Sequence, residues 1–286
     1  MNTPKIDERP ISPWRKSLEL LRRDPKANAG ICGLGLLAVL AICGPWLAPA
    51  FDKQVLDAQL LPPSFSHLFG TDHLGRDILS RVLYGGRISL AIGLLSTVVS
   101  MAVGTAYGCI SGFFSRRLDM AMMRLVDVLY SLPYMFLVII LIFLFGRNLY
   151  ALFLALGLVQ WLTVARVVRG QVLSLRNEDF VEAARALGVG RFKILLRHIL
   201  PNVMGIVLIY GSLTVPSVIL QESFLSFLGL NVQPCTWGVL ISEGRDYMDS
   251  AWWMLVFPGG ALTLCLLCLN LLGDSLRDAL DPRLSE

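Results

Sequence analysis

The chain is organised by long runs of residues that carry no charge. A run of about 20 apolar residues is what a helix needs to cross a hydrocarbon core of roughly 30 Å. The uncharged runs of this length cover residues 28–50, 88–115, 148–165, 199–221 and 251–273. A further run, 125–146, is similar but carries Asp127 near its start. The pattern predicts an all-α integral membrane protein with six transmembrane helices.

One more uncharged stretch, 223–242, is expected to be a loop and not a seventh span. It contains turn-forming residues at Gly229, Asn231, Gln233 and Pro234. The segments predicted around the spans are an N-terminal segment (1–27), a first transmembrane helix (28–51), an outer loop (52–86), a transmembrane core (87–274) and a tail (275–286).

The N-terminal segment has an amphipathic pattern. Trp14, Leu18 and Leu21 recur at i, i+4 and i+7 between charged residues. This spacing predicts a helix that lies on the cytoplasmic face of the membrane, and a short solvated helix is the alternative. The apolar run that follows is too long for the core of a cleaved signal peptide, so we expect it to remain as an anchor.

Charge distribution predicts the orientation. Hydrophobic residues make up 55% of the chain and charged residues 16%. With both termini in the cytoplasm, 19 Lys and Arg fall in cytoplasmic segments and 5 in outer ones, as the positive-inside rule requires. The formal net charge of +4 therefore reflects topology and needs no nucleic-acid partner.

Several kinds of chemistry are excluded. The segment from Gly70 to Asp77 has the glycine spacing of a P-loop, but Arg76 and Asp77 replace the Lys and Ser/Thr that phosphate and Mg²⁺ require. The histidines His67, His73 and His198 have no metal-ligand spacing. The pair Cys265 and Cys268 lies in an apolar helix and is expected to pack there. We expect no enzyme, no cofactor bound by this chain and no metal site.

The second span carries a stripe of small residues. They recur every four positions, which leaves one helix face almost bare: Ser96, Ser100, Gly104, Gly108 and Gly112. Such a face lets another helix approach closely in lipid. The stripe predicts packing against a helix of this chain or of a second subunit, with substrate lining as the minor alternative.

Few polar groups lie inside the spans. Asp127, Gln160 and Glu222 are candidates for a pathway or gate, because intramembrane polar residues are costly and usually functional. Asp127 is expected to reach Arg124 one turn away. Glu222 is expected to face a water-filled cavity or to bond another helix, and a structural or gating role is favoured over substrate contact.

The cytoplasmic loop 169–200 has helix signals of its own. Asn177 is expected to cap a short helix, and Gly188 to end it. Phe180, Ala184 and Leu187 form an apolar ridge at i, i+4 and i+7. The ridge has no evident partner in its own chain, so we expect it to enter a groove on a partner protein; the alternative is a helix that lies flat on the bilayer.

Family motifs appear in and around this loop. Glu182-Ala183-Ala184-x-x-x-Gly188, followed by Leu200-Pro201, resembles the cytoplasmic "EAA" signature of ABC-importer permeases, with His198 where that family usually has Ile. Four further blocks resemble the peptide/nickel permease family: 70–77, 86–90, 222–229 and 273–282. Within that family, residues 168–175 and 197–202 are most similar to the C-type permease subunit of oligopeptide importers.

This resemblance implies a six-helix type I ABC importer permease of the bacterial inner membrane. It implies a second homologous permease, two ATPases that hold the ATP and Mg²⁺, and a binding protein outside. Coupling to the ATPases would involve Glu182, Ala183, Ala184, Gly188 and Pro201. The expected substrates are peptides, above all oligopeptides, with dipeptides, glutathione or nickel as alternatives within the family. A secondary transporter or channel is the alternative from another class.

The charge bias makes the topology testable. A membrane-impermeant thiol reagent applied to intact spheroplasts should label a cysteine introduced at Ser64 but not one introduced at Ser285. Labelling is read against the unsubstituted chain, which carries six cysteines. Labelling at Ser285 and not at Ser64 would contradict the predicted orientation.

Overall fold

The computed structural model describes residues 19–230 and 235–280. Within these ranges the structure is helical, and the only β-type pairing is an isolated bridge between Thr71 and Asp77. The helices are α1 (Pro25–Leu47), α2 (Ile78–Phe113), α3 (Arg116–Tyr130), α4 (Tyr134–Phe145), α5 (Leu149–Leu175), α6 (Asp179–Ala186), α7 (Arg191–Phe227), α8 (Trp237–Arg245) and α9 (Trp253–Leu280). Residues 19–23 are also helical, whereas Trp14 and Leu18 of the predicted amphipathic segment lie outside the described residues.

The span expected over 125–146 is not one helix. Helices α1, α2, α5, α7 and α9 are each long and apolar enough to cross a membrane, whereas α3 and α4 meet at 94°. The break covers Ser131 to Pro133. Proline keeps the residue before it out of the helical region of backbone space, so the chain turns at Leu132. The expectation of a continuous third span is therefore wrong.

The bent pair α3–α4 still carries the chain across the membrane. A methyl group added to Gly104 of α2 would lie 2.6 Å from Cβ of Val164 in α5, and one on Gly112 would lie 2.9 Å from Cβ of Val172. Residue numbers rise together along both helices, so α2 and α5 run parallel. Because parallel neighbours need a return crossing between them, α3 and α4 together are the third of six spans, as predicted.

Two further helix pairs are antiparallel, α1 with α9 and α2 with α7. A methyl on Gly30 of α1 would meet the backbone of Cys268 in α9, and one on Gly93 of α2 would meet Ile219 in α7. The bundle thus has two distinct ends. We call them the α6 end, where α2 and α5 finish, and the α8 end, where α1 finishes and α2 starts.

Some helix boundaries differ from the expected ones, and at the start of α2 a capping residue determines the boundary. The transmembrane core was expected to begin at residue 87, but this residue lies inside α2. Helix α2 starts at Ile78, because the Asp77 carboxylate accepts a 2.9 Å hydrogen bond from the Ser80 N–H. Helix α5 extends to Leu175, into the expected loop 169–200. Residues 223–227 are the end of α7, and the described residues from 228 to 242 add no further crossing helix, because α8 has 9 residues and is about 14 Å long.

The small-residue stripe of α2 lies against α5 of the same chain. Ser96 and Ser100 are fully buried, and a methyl on Gly108 would lie 2.6 Å from the carbonyl oxygen of Ala165. A methyl on Gly157 of α5 would in turn lie 2.7 Å from the carbonyl oxygen of Ser96. The backbones of α2 and α5 are therefore in close contact along this stripe. The sequence left open whether the stripe packs on this chain or on a second subunit, and the structure shows a helix of this chain.

Gly108→Ala should destabilise the chain, because its methyl would press on backbone that cannot rotate away. Overpacking of this kind costs about 1–3 kcal/mol. The matched control is Gly170→Ala, where a methyl meets nothing within 4 Å. Thermal unfolding of the purified chain in detergent should show a lower midpoint for Gly108→Ala alone. Equal midpoints would mean that α2 and α5 are not in close contact.

Candidate functional site

The short helix α6 projects at the α6 end between α5 and α7. It begins at Asp179 with Glu178 as the N-cap residue, and no side chain caps it. The expectation that Asn177 provides the cap is therefore wrong. Asp179 and Glu182 occupy the first turn, where acidic side chains interact favourably with the helix dipole.

Helix α6 ends at Ala186, and Gly188 just beyond its C-cap residue stops it, as expected from the sequence. Gly188 has φ +74°, its N–H donates to the Arg185 carbonyl at 2.9 Å, and the Val189 N–H donates to the Ala184 carbonyl at 3.1 Å. This pair of bonds is the Schellman arrangement, which favours glycine because other residues resist positive φ. A methyl at Gly188 would meet nothing within 4 Å, so backbone conformation and not space fixes the residue.

The predicted apolar ridge is divided between the interior and the surface. Ala184 was expected to face a partner, but only 6% of it is exposed, and it packs with Val181, Val172 and Ile199. The reason is that α6 folds back on the ends of α5 and α7, which no local pattern reveals. Ala184 is therefore a core residue of this chain and does not form part of an exposed ridge.

A different set of apolar side chains is exposed beside α6. Phe180 is 40% and Leu187 83% exposed, and Phe192 and Leu196 at the start of α7 are exposed as well. We call these four residues the α6 patch. Glu182, Ala183 and Pro201 are exposed in the same region. Large exposed apolar side chains close in sequence to exposed polar ones are typical of a protein-binding surface.

An ion pair and hydrogen bonds connect α2, α3 and α5 at the α6 end. The Arg169 guanidinium of α5 donates to both carboxylate oxygens of Asp119 at the start of α3, with Nη2 to Oδ2 at 2.7 Å, and the Ser111 hydroxyl donates to the same carboxylate. Arg176 donates to the Gly112 carbonyl at 3.1 Å. The contacts join the ends of α2, α3 and α5 directly below α6.

The three candidate pathway residues occupy different environments. Asp127 does not bond the expected Arg124; its carboxylate accepts from Arg166 of α5 at 2.8 Å, and that guanidinium lies 4.1 Å from the ring centre of Tyr130. Gln160 lines a cavity of about 300 Å³ beside the break between α3 and α4. Thus Gln160 alone of the three lines this cavity.

Glu222 is buried where α7 meets α8. It accepts a hydrogen bond from the Ser226 hydroxyl at 2.8 Å, and its second oxygen has no partner among the described residues. A methyl on Gly238 of α8 would lie 2.5 Å from Cα of the neighbouring Ser223. This close packing leaves Glu222 between two helices and is consistent with the structural role favoured from the sequence.

A buried ion network at the α8 end was not predicted from the sequence. Arg81 is 1% exposed, and its Nη1 lies 2.7 Å from Asp72 and 2.6 Å from Glu243 of α8. Arg76 pairs with the same Asp72 at 2.6 Å. The i, i+4 spacing of Asp72 and Arg76 is a local signal for their ion pair. No such signal exists for the pair of Arg81 with Glu243, because these residues are 162 positions apart. The network fastens the loop before α2 onto α8.

The glycines that imitate a P-loop serve this loop structure. Gly75 has φ +71°, and a methyl there would lie 1.8 Å from the Val55 carbonyl oxygen. Asp72, His73 and Glu243 also bring three ligand-type atoms within 4.8 Å of one another, a grouping not expected from sequence. Both carboxylates are already paired with the arginines, which disfavours a cation.

Comparison with known families identifies the chain. Residues 104–286 match the model of the binding-protein-dependent transport system inner membrane component, and residues 12–63 match the N-terminal transmembrane domain of oligopeptide transport permease C. The chain belongs to this permease family. The first of these matches contains α6, the α6 patch and most of the stripe that packs α2 on α5.

Curated relatives match over almost the whole length of this permease. The oligopeptide transport system permease protein OppC of Haemophilus influenzae is 46% identical over 94% of the chain and 88% of the relative. OppC of Escherichia coli K12 is 45% identical over 98% and 94%. The dipeptide transport system permease protein DppC of Bacillus subtilis is 43% identical over 95% and 85%.

A solved structure shares the fold of this permease. It shows inward-facing conformations of the MetNI methionine ABC transporter, with a TM-score of 0.57, 18% identity and coverage of 70% of this chain and 96% of that one. The likeness supports an importer permease fold at the level of architecture.

Arg81→Met should strongly destabilise the permease, because it removes the fully buried cation of the network and leaves Arg76 as the only cation beside the two carboxylates. Breaking a buried pair from one side costs about 3–5 kcal/mol. The control is Arg245→Met, which removes an exposed pair with Asp246 and should cost at most about 1 kcal/mol. Thermal unfolding in detergent compares the two. Equal effects would show that the network contributes no more than a surface pair.

Proposed function

We propose that this chain is the C-type permease subunit of an ATP-driven importer that moves peptides, above all oligopeptides, across the bacterial inner membrane. The observation that carries the proposal is the 43–46% identity to permeases named for oligopeptide and dipeptide transport, over at least 94% of the chain. The machine would also contain a second homologous permease, two ATPases with their ATP and Mg²⁺, and an external substrate-binding protein. This chain itself would bind no nucleotide.

The α6 end would face the cytoplasm, with both termini on that side. Arg185, Arg191, Lys193 and Arg197 lie around α6, which is the side that the positive-inside rule assigns to the cytoplasm. The α8 end, with its ion network, would then face the binding protein. Membrane lipid would surround the outward faces of the bundle.

The α6 patch would insert into a groove on the ATPase. Its four apolar side chains are exposed, whereas Val181 and Ala184 of α6 pack against α5 and α7. A displacement of α6 by the ATPases would therefore move two long spans with it. Such transmission between packed helices is a rigid-body transition between inward-open and outward-open states.

Leu187→Arg should release the ATPases and abolish uptake, because a desolvated guanidinium has no partner in an apolar groove. Leu187→Met should keep both, since it preserves volume and polarity. The measurements are copurification of the ATPases and substrate-stimulated ATP hydrolysis in reconstituted vesicles. If α6 instead lay on lipid, the basic side chain would be tolerated, so wild-type stimulation by Leu187→Arg would contradict the coupling role.

Substrate class is tested by uptake into vesicles that hold the complete transporter and its binding protein. Labelled tri- to pentapeptides should accumulate with ATP and fail to accumulate without it. The match to a dipeptide permease makes dipeptides the second candidate, so they are measured in parallel. Accumulation of nickel or glutathione with no uptake of any peptide would contradict the proposal.

A further inference from the structure

The cavity at the break between α3 and α4 is lined by uncharged hydrogen-bonding side chains. It has a volume of about 300 Å³, and its polar lining consists of Tyr130, Tyr134, Gln160, Thr163 and Gln221. The rest of its described lining is aliphatic. Helices α3, α4, α5 and α7 all contribute, so the cavity lies where the permease brings most of its spans together.

One buried polar group of this cavity, the amide oxygen of Gln221, has no hydrogen-bond partner among the described residues. A buried polar group without a partner costs free energy, and the cost is higher still in hydrocarbon. Gln160 lies 11 residues after the start of α5, about 16 Å along the helix, so the cavity lies at membrane depth and not at an interface with water.

The non-helical segment between α3 and α4, at the same depth, is a second indication of a polar space. The segment from Ser131 to Pro133 is not helical, and irregular backbone within a membrane is tolerated only inside protein or beside a water-filled space. Discontinuous helices at mid-membrane commonly form the substrate sites of transporters.

We propose that this cavity is a contact site for the backbone of the transported peptide, with Gln160, Thr163 and Gln221 bonding its amide groups. A primary amide both donates and accepts, so it complements the N–H and C=O of a peptide bond. None of the described lining residues is charged, so the site discriminates little between acidic, basic and neutral peptide side chains. The inference rests on the proposed peptide transport.

Photochemical crosslinking in the assembled transporter tests the contact. A photoreactive residue in place of Thr163, which is exposed in this chain, should capture a labelled tripeptide during ATP-driven uptake. The control position is Phe143 of α4, 87% exposed and outside the cavity lining, where no peptide should be captured. Capture of the second permease subunit by position 163, with no peptide, would overturn the proposal and make the cavity a subunit interface.

Uptake by a double variant tests the recognition. Gln160→Leu with Gln221→Leu keeps the volume but removes the amides, and uptake of acidic, basic and neutral tripeptides should fall in parallel by about tenfold or more. Ser217→Ala, on an exposed part of α7, should retain uptake, and copurified ATPases report assembly.

A fall confined to one charge class of peptide would overturn the backbone assignment. If the wild-type transporter took up no peptide at all, the proposed function itself would fail. If it took up peptides but gave no capture at position 163, only the cavity assignment would fail.

Discussion

The parallel contact between α2 and α5 is the constraint on which the rest of the bundle depends. Gly104, Gly108 and Gly112 let backbone approach backbone at distances that even one methyl group would not permit. Because two parallel neighbours need a return crossing, α3 and α4 must bring the chain back in 30 residues, from Arg116 to Phe145. The proline break falls in this return, and the polar cavity lies beside it.

The two ends of the bundle are fixed by different forces. At the α8 end, Arg81 and Arg76 bind Asp72 and Glu243 in a largely buried network that joins the loop before α2 to α8. At the α6 end, apolar packing of Val181 and Ala184 seats α6 on α5 and α7. In the second arrangement the inner face of α6 is fixed to two spans, while the α6 patch stays exposed.

Features set by local sequence were predictable, and features set by distant contacts were not. Span number, the small-residue stripe and the glycine stop at Gly188 follow from runs, periodicity and backbone preference. The burial of Ala184 was missed because a helical face looks unpartnered until α6 is seen folded on α5 and α7. The pairing of Arg81 with Glu243 was missed for the same reason: its partner is 162 residues away. The turn at Leu132 had a local signal in Pro133.

The central claim is that α6 moves together with α5 when the ATPases bind ATP. Pulsed electron resonance between spin labels at the exposed positions Ala183 and Gly170, with the exposed Cys32 replaced, measures this in the complete transporter. The account predicts the same distance distribution with and without ATP, because Val181 and Ala184 hold α6 on α5. A shift of several ångströms on ATP binding would show that α6 moves independently and would contradict the account.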